Sequence, residues 1–273
     1  YIVIDGGSTD GSVEVVARYA ALLSHWTSER DGGQSDAINK GFRLATGDIV
    51  AWLNSDDLLT PQALHKVAVR FAREARPAVV CGTAELRSQN LSTVMWTFES
   101  PPTTTAEILS YPEGRQIGQP SVFMSRELLD FPEPLRRDLN YIMDLDLWLR
   151  LSKKCEFTVL TESLSWIRYH LDAKTYQQPY SVFQELEPYI AGHKNLLSPA
   201  QMEKLLKACR RECARGYLVS AFFKTKAHRR LLALALVWKA FIHYPEILSY
   251  RTLYAVIARA CLPANLQRLL FRS

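Results

Sequence analysis

Short apolar runs alternate with amphipathic segments through the first third of the chain. Three runs are typical of buried strands, at residues 1–4, 48–53 and 78–82. Three segments between them carry apolar residues at helical spacing, at residues 12–23, 35–45 and 61–73. Polar or Gly-rich turns separate these elements. This alternation predicts an α/β fold with a doubly wound sheet.

Polar clusters follow two of the predicted strands. Asp5 follows the first strand, and Asn54-Ser55-Asp56-Asp57 follows the run at 48–53. Ligands bind at the carboxyl ends of strands in such sheets, so we expect both clusters on one rim. Clustered carboxylates repel each other unless a cation joins them, and Mg²⁺ or Mn²⁺ prefers oxygen ligands that it can share with phosphates. The alternative is that Ser55 or Asp57 caps the next helix.

The rest of the chain divides into two parts. Up to about residue 180 we expect a hairpin, a helix and two further strands, at residues 94–98, 143–151, 157–161 and 166–169. Beyond it, helical periodicity dominates, near residues 199–223, 226–243 and 245–260. We therefore predict an α/β domain at residues 1–180 and a helical extension at 181–273.

Composition limits the cellular setting and the partners. The five cysteines are scattered without a CxxC pair, which argues against a disulfide framework and for a reducing compartment. We therefore predict a cytoplasmic location. The formal net charge is only +5, and the basic residues do not interleave with an aromatic platform. A nucleic-acid partner is not expected.

The predicted carboxy-terminal helices are basic and apolar. Residues 231–242 are apolar except for Lys239, and His228-Arg229-Arg230 precede them. This run is too short to span a bilayer, but a basic amphipathic stretch can lie on an anionic surface. Further arginines add to this interpretation: Arg251, Arg259, Arg268 and Arg272. Peripheral contact with the inner face of the cell membrane is one expectation, and a helical appendage packed on the α/β part is the simpler alternative.

Six short motifs stand in order along about residues 1–175. They are Ile2–Gly11, Gly33–Gly41, Gly47–Asp57, Gly118–Ser121, Met143–Leu151 and Tyr169-His170. Each motif is weak alone, but in this order and spacing they resemble the family 2 glycosyltransferases. The resemblance implies a GT-A fold, with a Rossmann-like doubly wound mixed sheet, that lacks the family's first strand and helix. It also implies inverting transfer of a sugar from a nucleotide-diphosphate donor, assisted by Mg²⁺ or Mn²⁺, as in polysaccharide or glycolipid synthesis.

The resemblance also implies a donor site. Its residues are Asp5, Gln34, Asp36, Asn39, Asn54, Ser55 and Asp56. Asp5 matches the carboxylate that bonds the nucleotide base, and Asp56 matches the metal-binding Asp of the DxD motif. Asn54 stands where that motif has its first Asp. His170 falls at a late metal or diphosphate contact.

On the acceptor side, Asp144 matches the Asp of the family's Glu-Asp catalytic motif and is the expected base, while Met143 replaces the Glu. Asp146 has an alternative role as the partner of Arg150, four residues later on a helix. Gln119 and Trp148 are acceptor-side or packing residues, and the sequence does not decide between these roles.

The expected partners are a nucleotide-sugar donor and a saccharide or lipid-linked acceptor. Two alternatives stay open. Asn54 and Met143 depart from the family pattern, which leaves room for a catalytically silent nucleotide-sugar-binding module. A nucleotidyltransferase also uses acidic metal ligands on such a sheet, but its Gly-rich, basic phosphate loop is not found in this sequence. The sequence does not specify the sugar, the nucleotide or the acceptor.

Overall fold

The structure is a computed structural model that describes residues 1–73, 78–226 and 229–261. Contacts divide the chain into two compact units, Tyr1–Tyr169 and His170–Ser273. The assignment of residues 1–180 as the catalytic domain and 181–273 as its extension stays a prediction.

The first unit contains eight described strands and five described α-helices. The strands are β1 (Ile2–Asp5), β2 (His25–Ser28), β3 (Ile49–Val50), β4 (Leu58–Leu59), β5 (Val79–Arg87), β6 (Val94–Phe98), β7 (Val122–Ser125) and β8 (Phe157–Arg168). The helices are α1 (Ser12–Arg18), α2 (Gln34–Leu44), α3 (Ala63–Phe71), α4 (Thr105–Leu109) and α5 (Met143–Leu151).

These strands form two sheets in the described residues. β1 and β2 pair in parallel. The other sheet has the order β3-β7-β5-β8-β4, with β6 paired to β5. In this sheet β5 and β8 are parallel, and the remaining pairs are antiparallel. The prediction of a mixed α/β sheet with a helical carboxy-terminal part is confirmed.

Amphipathic α3 covers one face of the mixed sheet. Its buried residues Ala63, Val67 and Phe71 pack with Val80 of β5 and with Leu164 of β8. The apolar spacing that predicted this helix therefore marks the face that is removed from water.

Glycines allow close packing at two points near the centre of the sheet. A Cβ on Gly82 would lie 2.6 Å from the Leu164 side chain, and one on Gly118 would lie 2.2 Å from Cβ of Ala84. Both distances are too short for any real side chain, so glycine is required at both positions. Gly118 thereby brings Gln119 close to β5.

Two predicted strands differ from those observed. The run at 48–53 forms a strand only over Ile49–Val50, because the carbonyl of Trp52 accepts a hydrogen bond from Nε2 of Gln119 (2.9 Å) in place of a strand partner. The two strands expected between residues 157 and 169 are one continuous strand, β8, which pairs with β5 along most of its length.

The second unit is helical in its described part. Its helices are α6 (Lys174–Gln177), α7 (Ser181–Gly192), α8 (Pro199–Lys226), α9 (Arg230–His243) and α10 (Arg251–Cys261). The three long helices predicted here are confirmed, although a 3₁₀ turn at Pro245–Ser249 delays the start of the third. Within the described ranges, no helix is long and apolar enough to cross a membrane.

Candidate functional site

Asp5 ends β1 and holds the turn that follows it. Oδ2 accepts hydrogen bonds from the backbone N–H of Gly7 (3.0 Å) and Ser8 (2.9 Å), and from the hydroxyl of Ser28 on β2 (2.6 Å). The Ser8 hydroxyl donates to Oδ1. These bonds, led by that from Ser28, lower the pKa of Asp5 to about 2. The carboxylate therefore has a structural role here, and its contact with a nucleotide base stays a prediction.

The acidic loop between β3 and β4 is fastened to the end of β8. The backbone N–H of Arg168 donates to Oδ1 of Asp57 (3.2 Å), and its Nε donates to the carbonyl of Asp56 (3.0 Å). Nη1 of Arg168 reaches the carbonyl of Gln89 (2.7 Å). One arginine thus fixes the backbone that carries Asp56. Sequence reasoning missed Arg168; its place at the end of a strand just before Tyr169-His170 was the only available signal.

Asn54 lies at the centre of a chain of side-chain amides. Its Oδ1 accepts from Nε2 of Gln34 (2.9 Å), and its Nδ2 donates to Oδ2 of Asp57 (3.2 Å) and to Oε1 of Gln119 (3.3 Å). Because Nε2 of Gln119 donates to Trp52, its oxygen faces Asn54. The network therefore needs a donor at position 54, which an Asp cannot supply once it is ionised.

Aromatic packing connects this loop to α5. The ring of Trp52 stacks on Trp148 with centroids 5.3 Å apart and an interplanar angle of 19°, and Phe42 meets Trp52 edge-on. Trp148 is buried, and its Nε1 has no hydrogen-bond partner among the residues that the structure describes. In this structure Trp148 is thus a packing residue that connects the helix bearing Asp144 to the segment after β3 that leads to Asp56.

Asp144 stands in the first turn of α5 and is half-buried. Its Oδ1 accepts a hydrogen bond from the backbone N–H of Leu145 (2.7 Å). A helix N-terminus attracts a carboxylate, so the position suits this residue. The preceding Met143 is buried and only 7% exposed, which explains an apolar residue where the resemblance implies a Glu.

Asp146 has a structural role that the sequence suggested as an alternative. Its carboxylate forms a salt bridge with Nη2 of Arg150 (2.7 Å) and accepts from Nε of the same residue (2.9 Å). Arg136 approaches from the preceding loop (3.9 Å). The predicted pairing of Asp146 with Arg150 is confirmed.

The buried polar residues of α2 bind the segment that leads into α5. Asn39 is fully buried, and its amide donates to the carbonyl (2.7 Å) and accepts from the N–H (2.9 Å) of Leu135. Asp36 accepts from the N–H of Gly32 (3.0 Å) and pairs with Arg137 (3.2 Å). The Gly32 bond, followed by the charge of Arg137, lowers the pKa of Asp36. Both side chains thus position the 135–139 segment, and their expected donor contacts stay predictions.

Two expected site residues have few described contacts. Ser55 is exposed on the acidic loop. His170 is the first residue of the second unit, and its carbonyl accepts from the N–H of Ala173 (3.2 Å). Their roles as donor and metal contacts stay predictions.

The oxygen-bearing side chains of the acidic loop suit a cation that is also bound by a substrate. Within the described ranges, no group of three or more His, Cys, Asp or Glu side chains lies close enough to hold a metal by itself. Asp57 accepts hydrogen bonds on both oxygens, from Nδ2 of Asn54 and from the backbone N–H of Arg168. Mg²⁺ keeps several waters and is commonly held by one or two carboxylates plus substrate phosphates. A cation shared with substrate phosphates would therefore need only one or two carboxylates here, and its binding by Asp56 stays a prediction.

Comparison with known proteins finds a family resemblance over the first 130 residues. Residues 1–130 match the model of glycosyl transferase family 2. An uncharacterised glycosyltransferase of Mycobacterium tuberculosis H37Rv is 44% identical over 57 residues, which cover 21% of this chain and 22% of that protein. A PGL/p-HBAD biosynthesis glycosyltransferase of Mycobacterium bovis BCG is 33% identical over 95 residues, which cover 33% of this chain and 36% of that protein. The resemblance to family 2 is confirmed over residues 1–130.

The chain spans only about a fifth to a third of the relatives it matches. Crystal structures of Staphylococcus aureus TarS share its fold over more of its length. TarS 1–349 superposes with a TM-score of 0.50 and 16% identity, covering 92% of this chain and 83% of that chain. A second TarS structure superposes with a TM-score of 0.54 and 17% identity, covering 94% of this chain and 47% of that chain. The predicted GT-A fold is confirmed, and the curated relatives that match the chain are named as glycosyltransferases.

Proposed function

We propose that the chain is a glycosyltransferase that moves a sugar from a nucleotide-diphosphate donor to an acceptor hydroxyl, with inversion at the anomeric carbon. The main support is the stack of Trp52 on Trp148 at 5.3 Å. This contact holds the segment after β3, which leads to Asp56, against α5, which carries Asp144 in its first turn. The two carboxylates needed for donor binding and for proton removal thus belong to directly packed elements.

On the donor side, Asp56 would hold Mg²⁺ or Mn²⁺ together with the donor's diphosphate. When bound, such a cation neutralises charge on the leaving diphosphate. The chain's own contribution is rigidity. Arg168 fixes the Asp56 backbone, and Asn54 fixes its neighbour Asp57 through hydrogen bonds of 3.0 and 3.2 Å. A fixed loop loses little entropy when the donor binds.

On the acceptor side, Asp144 would accept the proton of the attacking hydroxyl as a general base. Inversion requires the acceptor to lie opposite the leaving group, so the base and the diphosphate flank the reacting carbon. The salt bridge of Asp146 with Arg150 and the bonds of Asn39 to Leu135 stabilise α5 and the segment that leads into it. The acceptor itself, a saccharide or a lipid-linked sugar, is part of the proposal. So are the cytoplasmic location and the cation contact of His170.

The test is turnover of UDP-, GDP- and dTDP-sugars by the full chain with Mn²⁺, measured as nucleotide-diphosphate release. We expect one nucleotide class to be turned over. Asp144→Asn should lower the rate at least 100-fold, the lower end of the usual range for a general base, and leave donor affinity unchanged. Asp130→Asn is the matched control, since Asp130 is an exposed carboxylate outside α5 and the segment 135–139 that leads into it.

Two results would count against this proposal. If a folded Asp144→Asn variant turned over the donor at the wild-type rate, Asp144 would not be the general base. Donor binding by the wild type without turnover of any sugar, across a panel of saccharide acceptors, would favour the silent nucleotide-sugar-binding module.

A further inference from the structure

The charge of the chain is divided unevenly along its length. Residues 213–273 contain ten Lys and Arg residues and a single acidic residue, Glu246. Residues 1–212 contain 23 basic and 27 acidic residues, so that part is net negative. A strongly basic segment attached to an acidic body indicates an anionic partner for that segment.

The outward face of α9 is apolar in the same basic segment. Leu231, Trp238 and Ile242 are 85%, 62% and 60% exposed, and the exposed Ala235 completes a spacing of four, three and four residues. We call these four residues the outer stripe. The opposite face of α9 is occupied separately, since Ala233, Leu236 and Ala240 are buried in the core of the unit. The outer stripe is therefore not needed for that core.

Helix α10 repeats this arrangement. Tyr254 and Ile257 are 59% and 36% exposed, while Leu253 and Val256 are buried. Exposed apolar residues that recur along one face of a helix mark an interaction surface more often than isolated ones do.

Basic groups accompany the outer stripe. Arg229, Arg230 and Lys239 are exposed, and α9 contains no acidic residue. We propose that the outer stripe and its three basic neighbours form a surface that lies on an anionic lipid bilayer. Trp and Leu side chains enter the boundary between headgroups and acyl chains, and Lys and Arg contact the lipid phosphates. A second copy of this chain is a poorer occupant, because its basic segment would be repelled.

The experiment uses the full chain and does not depend on sugar transfer. Co-sedimentation is measured with vesicles of phosphatidylcholine alone and with vesicles that also contain phosphatidylglycerol. We expect binding only to the anionic vesicles, weakened by salt, with a blue shift of Trp fluorescence that is lost in Trp238→Phe. Replacing Arg229, Arg230 and Lys239 by Gln should weaken binding roughly fivefold for each charge removed.

Matched apolar variants separate the stripe from general hydrophobicity. The test variant replaces Leu231, Trp238 and Ile242 by Ser, and the control replaces Leu22, Leu64 and Trp96 of the first unit by Ser. The control residues are similarly exposed, at 76%, 63% and 61%. We expect at least tenfold weaker vesicle binding for the test variant and unchanged binding for the control. Because all six residues are exposed, both variants should fold, which circular dichroism checks.

Three results would overturn the proposal. The first is that the wild-type protein does not bind anionic vesicles at low salt. The second is equal vesicle binding by the stripe variant and the control variant. The third is self-association or duplex-DNA binding by a wild type that does not bind vesicles, which would assign the basic segment to another partner.

Discussion

Asn54→Asp introduces a carboxylate into a site that is built around an amide. The substitution restores the first acidic residue of the DxD motif, so a comparison of motifs alone predicts equal or better function. The structure predicts the opposite. In the wild type, Nδ2 of Asn54 donates to Oδ2 of Asp57 at 3.2 Å and to Oε1 of Gln119 at 3.3 Å. An ionised Asp places an acceptor against both of these acceptors.

The size of the effect follows from these contacts. Two lost hydrogen bonds cost about 0.5–1.5 kcal/mol each. Two unit charges about 3 Å apart at an effective dielectric constant of about 20 repel by about 5 kcal/mol, an upper bound here because the site is half-exposed and can relax. We expect Asn54→Asp to lower the free energy of unfolding by about 2–4 kcal/mol near neutral pH.

The effect should also depend on pH. Two carboxylates in one site raise the pKa of one of them, so the variant is penalised only when both are ionised. The difference in stability between Asn54→Asp and wild type should therefore be small near pH 4 and grow as the pH rises. Urea unfolding without metal, followed by fluorescence of the stacked Trp52 and Trp148, measures it. Asn54→Ala removes the hydrogen bonds without adding charge.

Asn90→Asp is the matched control. Asn90 is exposed, and its Oδ1 accepts hydrogen bonds from the backbone N–H of Ser92 at 3.2 Å and from two hydroxyls. An Asp keeps these bonds, so the expected change is within about 0.5 kcal/mol. An Asn54→Asp variant that is as stable as the wild type at neutral pH would contradict this prediction. So would a loss of stability that does not change with pH.

Three further predictions concern the residues that support the site. Asn39→Ala should lower the free energy of unfolding by about 2–4 kcal/mol, because it leaves both backbone groups of Leu135 without their partner; a loss below about 1 kcal/mol in urea unfolding would contradict this. Trp148→Phe should lower the free energy of unfolding by less than about 1.5 kcal/mol, since the indole N–H is unpaired among the described residues. Trp148→Ala should lower it by about 3–5 kcal/mol, and equal losses for the two variants would contradict this. Because hydrogen bonding lowers the pKa of Asp5 to about 2, its stabilisation should be complete above about pH 4 and be lost as the pH falls towards 2. Ser28→Ala should reduce this loss in acid titrations, and an unchanged titration would contradict it.

The sequence predicted the elements whose signals are local. The helical spacing at 35–45 corresponds closely to α2, and the helical spacing at 61–73 contains α3. The apolar run at 48–53 predicted a longer strand than the one observed. The strand ends before Trp52, whose carbonyl accepts a hydrogen bond from the side chain of the distant Gln119. No local pattern encodes that contact across 67 residues.

The same limit applies to the site. Order and spacing of motifs predict Asp56 and Asp144 as site residues, but they do not indicate which residues support them. Asn39 sits in a recognised motif and was expected at the donor, yet its amide binds the backbone of Leu135, 96 residues away. Arg168 carries no motif signal, although it holds the acidic loop. Such roles depend on which segments the fold brings together.

The most direct test of the central claim is nucleotide-diphosphate binding, measured by calorimetry on the full chain with and without Mn²⁺. We expect the chain to bind one nucleotide class, and this binding to require Mn²⁺ and to be lost in Asp56→Ala. Binding should be retained in Asp130→Ala, which removes an exposed carboxylate outside the acidic loop. Folded protein that binds no nucleotide diphosphate in a metal-dependent way, or an Asp56→Ala variant that binds like the wild type, would contradict it.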